Sequence, residues 1–145
     1  MNTYIKRHAE AAVEKLSGMF GAVLVAGPRQ VGKTTMLQKV TQNINYVTPV
    51  SYTHLTLPTF FKDNPPPVFI DEIQKAPELF SQIKMYIDRE HKKGQFFMCG
   101  SQQFQMMKGV SESLSGRIGL LTLLGFSVRE RYGIADDTPF IPTDE

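Results

Sequence analysis

The chain has 145 residues, enough for one domain with a buried core. Its 16 Lys and Arg against 14 Asp and Glu give a net charge of +2, too small to indicate a nucleic-acid or membrane partner. One cysteine, Cys99, excludes an intrachain disulfide and a cysteine-built metal centre, and it fits a reducing cytosol.

The first residues carry acids and no continuous apolar core, so they do not read as a signal peptide. No apolar run is long enough to span a bilayer. The expected location is therefore cytoplasmic. Ile5, Ala9, Ala12, Val13 and Leu16 recur at helical spacing, and Ser17-Gly18 ends that run. Ala22 to Ala26 is continuously apolar and stops at a glycine, as suits a strand covered on both faces. A second helical pattern starts near Lys33 and uses Met36, Leu37, Val40 and Ile44. Tyr46-Val47 reads as a short strand.

After Pro65-Pro66-Pro67, Val68-Phe69-Ile70 reads as a buried strand. Pro77 suits the first turn of a helix whose apolar face is Leu79, Ile83, Tyr86 and Ile87, with Gly94 as its expected cap. Phe96 to Cys99 is another buried strand. Phe104, Met107, Val110 and Leu114 predict a helix, and Ile118 to Leu124 a further core strand. Ser127 and Glu130 have capping-box spacing. Strands alternating with helices predict a three-layer α/β domain around a mainly parallel sheet. Residues 1–135 form that expected domain, and residues 136–145 read as a linker or truncated tail.

Gly27-Pro-Arg-Gln-Val-Gly32-Lys33-Thr34 has the spacing G-x-x-x-x-G-K-[ST] between a predicted strand and a predicted helix. In such a loop successive backbone N–H groups curl around a phosphate, and the helix N-terminus faces the anion. Gly27, Gln30, Val31, Gly32, Lys33, Thr34 and Thr35 are the candidate nucleotide-binding residues. Lys33 would reach the β- and γ-phosphates, and the Thr34 hydroxyl would ligate Mg²⁺. Arg29 reads either as a phosphate contact or as a solvated loop side chain. Asp71 and Glu72 end an apolar strand. In that setting Asp71 would join the Mg²⁺ shell, and Glu72 would polarise the water that attacks the γ-phosphate.

GPRQVGKTT, VFIDEIQKAPELF, FMCGSQQF and SLSGRIGLLTLLGFS together resemble a family of prokaryotic AAA-type P-loop ATPases. Many members carry a second, C-terminal domain. The resemblance implies a P-loop NTPase core with sheet order 5-1-4-3-2, in which Phe96–Cys99 is the strand inserted between the P-loop strand and the acidic-pair strand. It implies that Ser101 is the polar sensor of the γ-phosphate. A strand-end serine bonding its own backbone is the competing reading, and Gln102 is a weaker candidate for the role. It also implies that Arg117 is an arginine finger acting on a neighbouring subunit, hence a homo-oligomer, against a solvated arginine or a local ion pair as the plainer alternatives. The chain stops soon after its last strand without a lid or second domain, and reads as a fragment.

The scattered His8, His54 and His91 form no ligand spacing. Cys99, in an apolar strand, reads as a buried inert thiol. Arg89, His91, Lys92 and Lys93 read as the charged end of a helix.

The expected activity is Mg²⁺-dependent ATP hydrolysis driving a conformational change. The alternatives are a nucleotide-binding switch with little turnover, or another P-loop enzyme. No Asn-Lys-x-Asp motif supports a GTPase, and no acceptor site or arginine-bearing lid supports a kinase.

Residues 50–59, VSYTHLTLPT, have β-type residues and no acid where the family has an acidic turn and a helix. They resemble the translation of sequencing-adapter DNA and read as a non-native segment. Sequencing the source gene across these codons is expected to return a different segment. An unbroken VSYTHLTLPT would contradict this.

Overall fold

The computed structural model describes residues 3–51, 57–101 and 104–134. In chain order, α1 is Ala9–Met19, β1 Ala22–Gly27, α2 Lys33–Val40 and β2 Asn45–Val47. There follow α3 (Phe60–Asp63), β3 (Val68–Ile70), α4 (Leu79–Glu90), β4 (Phe96–Ser101), α5 (Phe104–Leu114), β5 (Ile118–Thr122) and α6 (Val128–Arg131). The tail at 136–145, Gln102 and most of the suspect segment lie outside the described residues. The ends of that segment form single 3-10 turns at Pro49–Ser51 and Leu57–Thr59.

The five strands form one sheet, ordered β2-β3-β4-β1-β5, with every pair parallel. This is the 5-1-4-3-2 order. Every residue of β1 is buried, as its unbroken apolar run requires. Alternate strand side chains divide between the two faces. Leu24, Ile70, Phe96 and Met98 meet Leu79, Phe80 and Ile83 of α4 and Val110 and Leu114 of α5. Val23, Val25, Phe69 and Phe97 face Val13 of α1 and Met36 and Leu37 of α2. Fully burying each Phe contributes about 2 kcal/mol. Among the described residues no helix is long and apolar enough to cross a membrane.

Four element ends depart from the sequence pattern, each for a local reason. Helix α2 stops at Val40 rather than running on to Ile44, because Thr41 leaves helical geometry (φ −111°, ψ 38°), its N–H and hydroxyl both closing on Leu37 O. Helix α4 begins after Pro77 and ends on His91, which takes the left-handed cap expected of Gly94. Gly94 instead donates its N–H to Phe20 O at 3.0 Å, tying the turn to the end of α1. Strand β5, expected as a core strand to Leu124, is an edge strand that ends at Thr122, and Leu120 is 49% exposed.

The fourth departure matters most for the site. Ile5 is not part of α1, because residues ahead of Ala9 turn Arg7 inward. Arg7 donates to Glu130 Oε2 at 2.9 Å, to Val31 O at 2.7 Å and to Leu124 O at 2.7 Å. Its guanidinium also lies 4.4 Å from the centre of the Phe126 ring. One buried cation therefore joins the chain start, the back of the P-loop, the exit of β5 and the capping box of α6. A planar guanidinium with five donors suits that task better than a lysine.

Glu130 is only 8% exposed. Burial opposes its charge, but N–H bonds from Ser127 and His8 and the Arg7 guanidinium outweigh it, lowering its pKa from 4.5 to about 2. A lowered carboxylate pKa stabilises the fold above pH 4.5, and that contribution is lost as pH falls towards 2. The loss amounts to about 3 kcal/mol. Glu130→Gln should destabilise the protein by at least about 3 kcal/mol at pH 7, because it leaves Arg7 buried and unpaired. It should also flatten the acid loss, as read by urea unfolding at pH 7 and pH 3. Equal pH dependence in both proteins would contradict this role.

Candidate nucleotide-binding site

Parallel strands end at the same edge of a sheet, and the site gathers at the C-terminal edge of this one. Gly27 ends β1 in register with Ser101 at the end of β4. A side chain at Gly27 would collide with the Leu123 carbonyl, so the residue that turns the loop must be glycine. The loop returns through Gly32, in the left-handed region, directly into α2. The first amides of α2 face the same opening, with the positive end of the helix dipole.

The Lys33 ammonium lies back across the loop, donating to Gly27 O at 2.9 Å and to Pro28 O. Thr34 sits in the first turn of α2, with its hydroxyl 3.2 Å from each Asp71 carboxylate oxygen. Asp71 follows β3, which sits in the sheet beside β2 and β4. Its carboxylate takes three further donors. They are Tyr46 Oη at 2.7 Å, Cys99 Sγ at 2.8 Å and the Glu72 N–H at 2.9 Å.

A cleft of about 420 Å³ runs over these groups, lined by Lys33, Thr34, Asp71, Glu72, Gln74 and Ser101 among others, including Arg29, Gln30, Gly32 and Thr35. Ser101 Oγ and Gln74 Oε1 are buried beside it without a hydrogen-bond partner. Orphaned buried polar atoms cost about 1–3 kcal/mol each, so this side of the cleft suits a polar ligand. Gln74 packs so closely on Gly100 that a Cβ there would stand 2.5 Å from Oε1. Glu72 has positive φ, and its carboxylate pairs with Lys75 Nζ at 2.8 Å, both side chains about half exposed. A second cleft, of about 440 Å³, lies between residues 4–14 and α6, around Arg7 and Glu130.

The structure brings together Gly27, Gln30, Gly32, Lys33, Thr34, Thr35, Asp71, Glu72 and Ser101 at one edge. Val31 turns its carbonyl away from the cleft, onto Arg7. Arg117 does not join them. It precedes β5 at the opposite end, about 17 Å away along β1. There it forks over Asp88, with Nε at 2.6 Å from Oδ1 and Nη2 at 3.1 Å from Oδ2, and it holds that carboxyl below its ordinary range.

Tyr46, Gln74 and Arg7 are the neighbours that sequence reasoning missed. For Gln74 a signal was present, since a glycine inside a strand, here Gly100, often marks the close approach of another group.

The model of the AAA domain family matches residues 20–132. Uncharacterized proteins of Mycobacterium bovis and Mycobacterium tuberculosis are each 33% identical to this chain over 138 residues. The alignment covers 91% of this chain and 31% of either relative, so the chain spans about a third of the length of the curated relatives it matches. A crystal structure of a DNA replication initiation factor superposes with a TM-score of 0.57 at 15% identity, covering 87% of this chain and 46% of that one. At that identity the likeness shows the fold alone.

Cys99 is 1% exposed, and burial together with its bond to Asp71 pushes the thiol pKa up. It should resist Ellman's reagent in the native protein and react fully in denaturant. Rapid native labelling would place the thiol at the surface and contradict its bond to Asp71.

Proposed function

The chain belongs to the AAA domain family, and on that footing we propose that it binds ATP with Mg²⁺ and hydrolyses it to drive a conformational change. The observation that carries the reading is the convergence of Thr34 Oγ1 on both oxygens of Asp71, beside the Lys33 ammonium, at the mouth of the loop. A hydroxyl and a carboxylate are hard oxygen ligands of the kind Mg²⁺ takes alongside phosphate oxygens. Bound there, the ion would neutralise charge on the β- and γ-phosphates.

The chain's own groups supply the rest. Amides from Gln30 to Thr35 cradle the phosphates, and Lys33 leaves its loop carbonyls for phosphate oxygens. Ser101 has an unpartnered hydroxyl to donate to the γ-phosphate. Glu72 leaves Lys75 to take a proton from the attacking water. Its exposed ion pair is worth less than about 1 kcal/mol and yields readily. The second cleft shares Arg7 with the loop carbonyl of Val31, which supports it as the space for the base.

In a homo-oligomer, Arg117 would exchange Asp88 for a neighbour's γ-phosphate. Residues 1–135 serve as the ATPase domain, with 136–145 a linker or truncated tail. The second reading is a nucleotide-binding switch with little turnover.

Lys33→Ala should weaken ATP binding at least about 100-fold, since it removes a charge-assisted contact to phosphate. Unchanged affinity in a fluorescence titration would refute the cradle. Glu72→Gln should keep the affinity and slow hydrolysis by about 10²–10⁴. Equal turnover would remove Glu72 from the chemistry. Binding without any turnover in the unsubstituted chain would favour the switch.

A further inference from the structure

Among the groups around Asp71, Tyr46 and Cys99 are the two that neither the P-loop nor the acidic pair accounts for. We propose that Tyr46 is a positioning residue for the metal site: its hydroxyl fixes the Asp71 carboxylate in the orientation that receives the ion, with the Cys99 thiol as the opposing brace. The inference rests on the proposed binding of ATP with Mg²⁺.

The sheet register dictates the placement. Tyr46 pairs with Phe69 in the parallel ladder of β2 and β3, so both side chains stand on the α2 face, where Asp71 also emerges. The Asp71 N–H is anchored to Val47 O at 2.9 Å, which continues the same ladder. The Tyr46 ring meets the fully buried Phe69 ring edge-on, with centroids 5.2 Å apart. The phenol is thus held by its ring and aimed by its register. Although Tyr46 is 43% exposed, its hydroxyl points inward and donates to Asp71 Oδ2 at 2.7 Å.

Cys99, on the strand at the other side of β3, donates to Oδ1 at 2.8 Å. Two donors from flanking strands thereby restrain both oxygens of one carboxylate. A carboxylate free to rotate must be ordered when the ion binds, whereas a braced one is ordered beforehand. Removing such outer partners of a metal ligand typically weakens metal binding 10–100-fold. Thr34 also touches both oxygens, but it is itself a prospective ligand and changes partner when the ion arrives. Tyr46 and Cys99 keep their bonds.

The test uses the chain with a fluorescent ATP analogue, titrated with Mg²⁺ and, separately, in EDTA. Tyr46→Phe keeps the ring on Phe69 and deletes only the hydroxyl. It should raise the Mg²⁺ concentration at half-saturation about 10–100-fold and leave the EDTA affinity unchanged. Cys99→Ala should shift the midpoint in the same direction, and Cys99→Ser, which restores a donor, should return it. A merely structural role would lower the melting temperature without moving the midpoint. An unchanged or lower Mg²⁺ midpoint in Tyr46→Phe, with the unsubstituted chain showing a normal Mg²⁺ dependence, would overturn the role of Tyr46 alone. Failure of the unsubstituted chain to bind the analogue, or binding it indifferently to Mg²⁺, would overturn the underlying nucleotide reading and this proposal with it.

Discussion

The carboxylate of Asp71 is the point where three strands and one helix are made to agree. It accepts hydrogen bonds from Tyr46 beside β3 on one side, Cys99 on the other, and Thr34 at the start of α2. That agreement exists because β4 lies between β1 and β3. A parallel order without β4 in that place would set Asp71 directly beside the P-loop strand and leave no position for Cys99 or Ser101. The insertion widens the edge by about 4.8 Å, one strand spacing, and fills the gap with polar groups facing the cleft. The wholly buried β1 then acts as a rigid stem, and the loop at Gly27 inherits its position from a strand packed on both faces.

Behind the loop the restraint is electrostatic. Arg7 is nearly sequestered from solvent, yet Glu130 and backbone carbonyls meet its guanidinium donors. Removing either partner strands a charge, so the pair is costly to break even where its net contribution to stability is small. Through Val31 O it ties the back of the phosphate loop to α6. The loop and the segment that leaves the sheet therefore share one restraint.

The parts legible in the sequence were those whose chemistry is local. Gly27, Gly32, Lys33 and Thr34 carry their meaning in spacing alone, and apolar runs at Ala22–Ala26 and Phe96–Cys99 carry burial on both faces. The sheet order came from resemblance rather than periodicity, since no local pattern shows that β4 inserts between β1 and β3. What stayed hidden depends on long-range pairing. Tyr46 sits on a three-residue strand, and its partner is 25 positions away. Arg7 lies in a stretch with helical apolar spacing, yet it turns inward to reach Glu130, 123 positions on. The pairing of Glu72 with Lys75 was hidden for a different reason: it depends on a left-handed backbone at a non-glycine residue. The fork of Arg117 over Asp88 joins the turn before β5 to the last turn of α4 at the opposite end of the sheet, where the resemblance slightly favoured a finger over a solvated arginine or a local ion pair.

Everything proposed for the site depends on Gly27–Thr34 cradling a polyphosphate. Calorimetric titration of the unsubstituted chain with ATP, ADP and AMP in Mg²⁺ tests it most directly. ATP and ADP should bind at least about 100-fold more tightly than AMP, because loop amides, Lys33 and the proposed metal ligands Thr34 and Asp71 would all address phosphates beyond the first. AMP binding as tightly as ADP would place recognition elsewhere and contradict it.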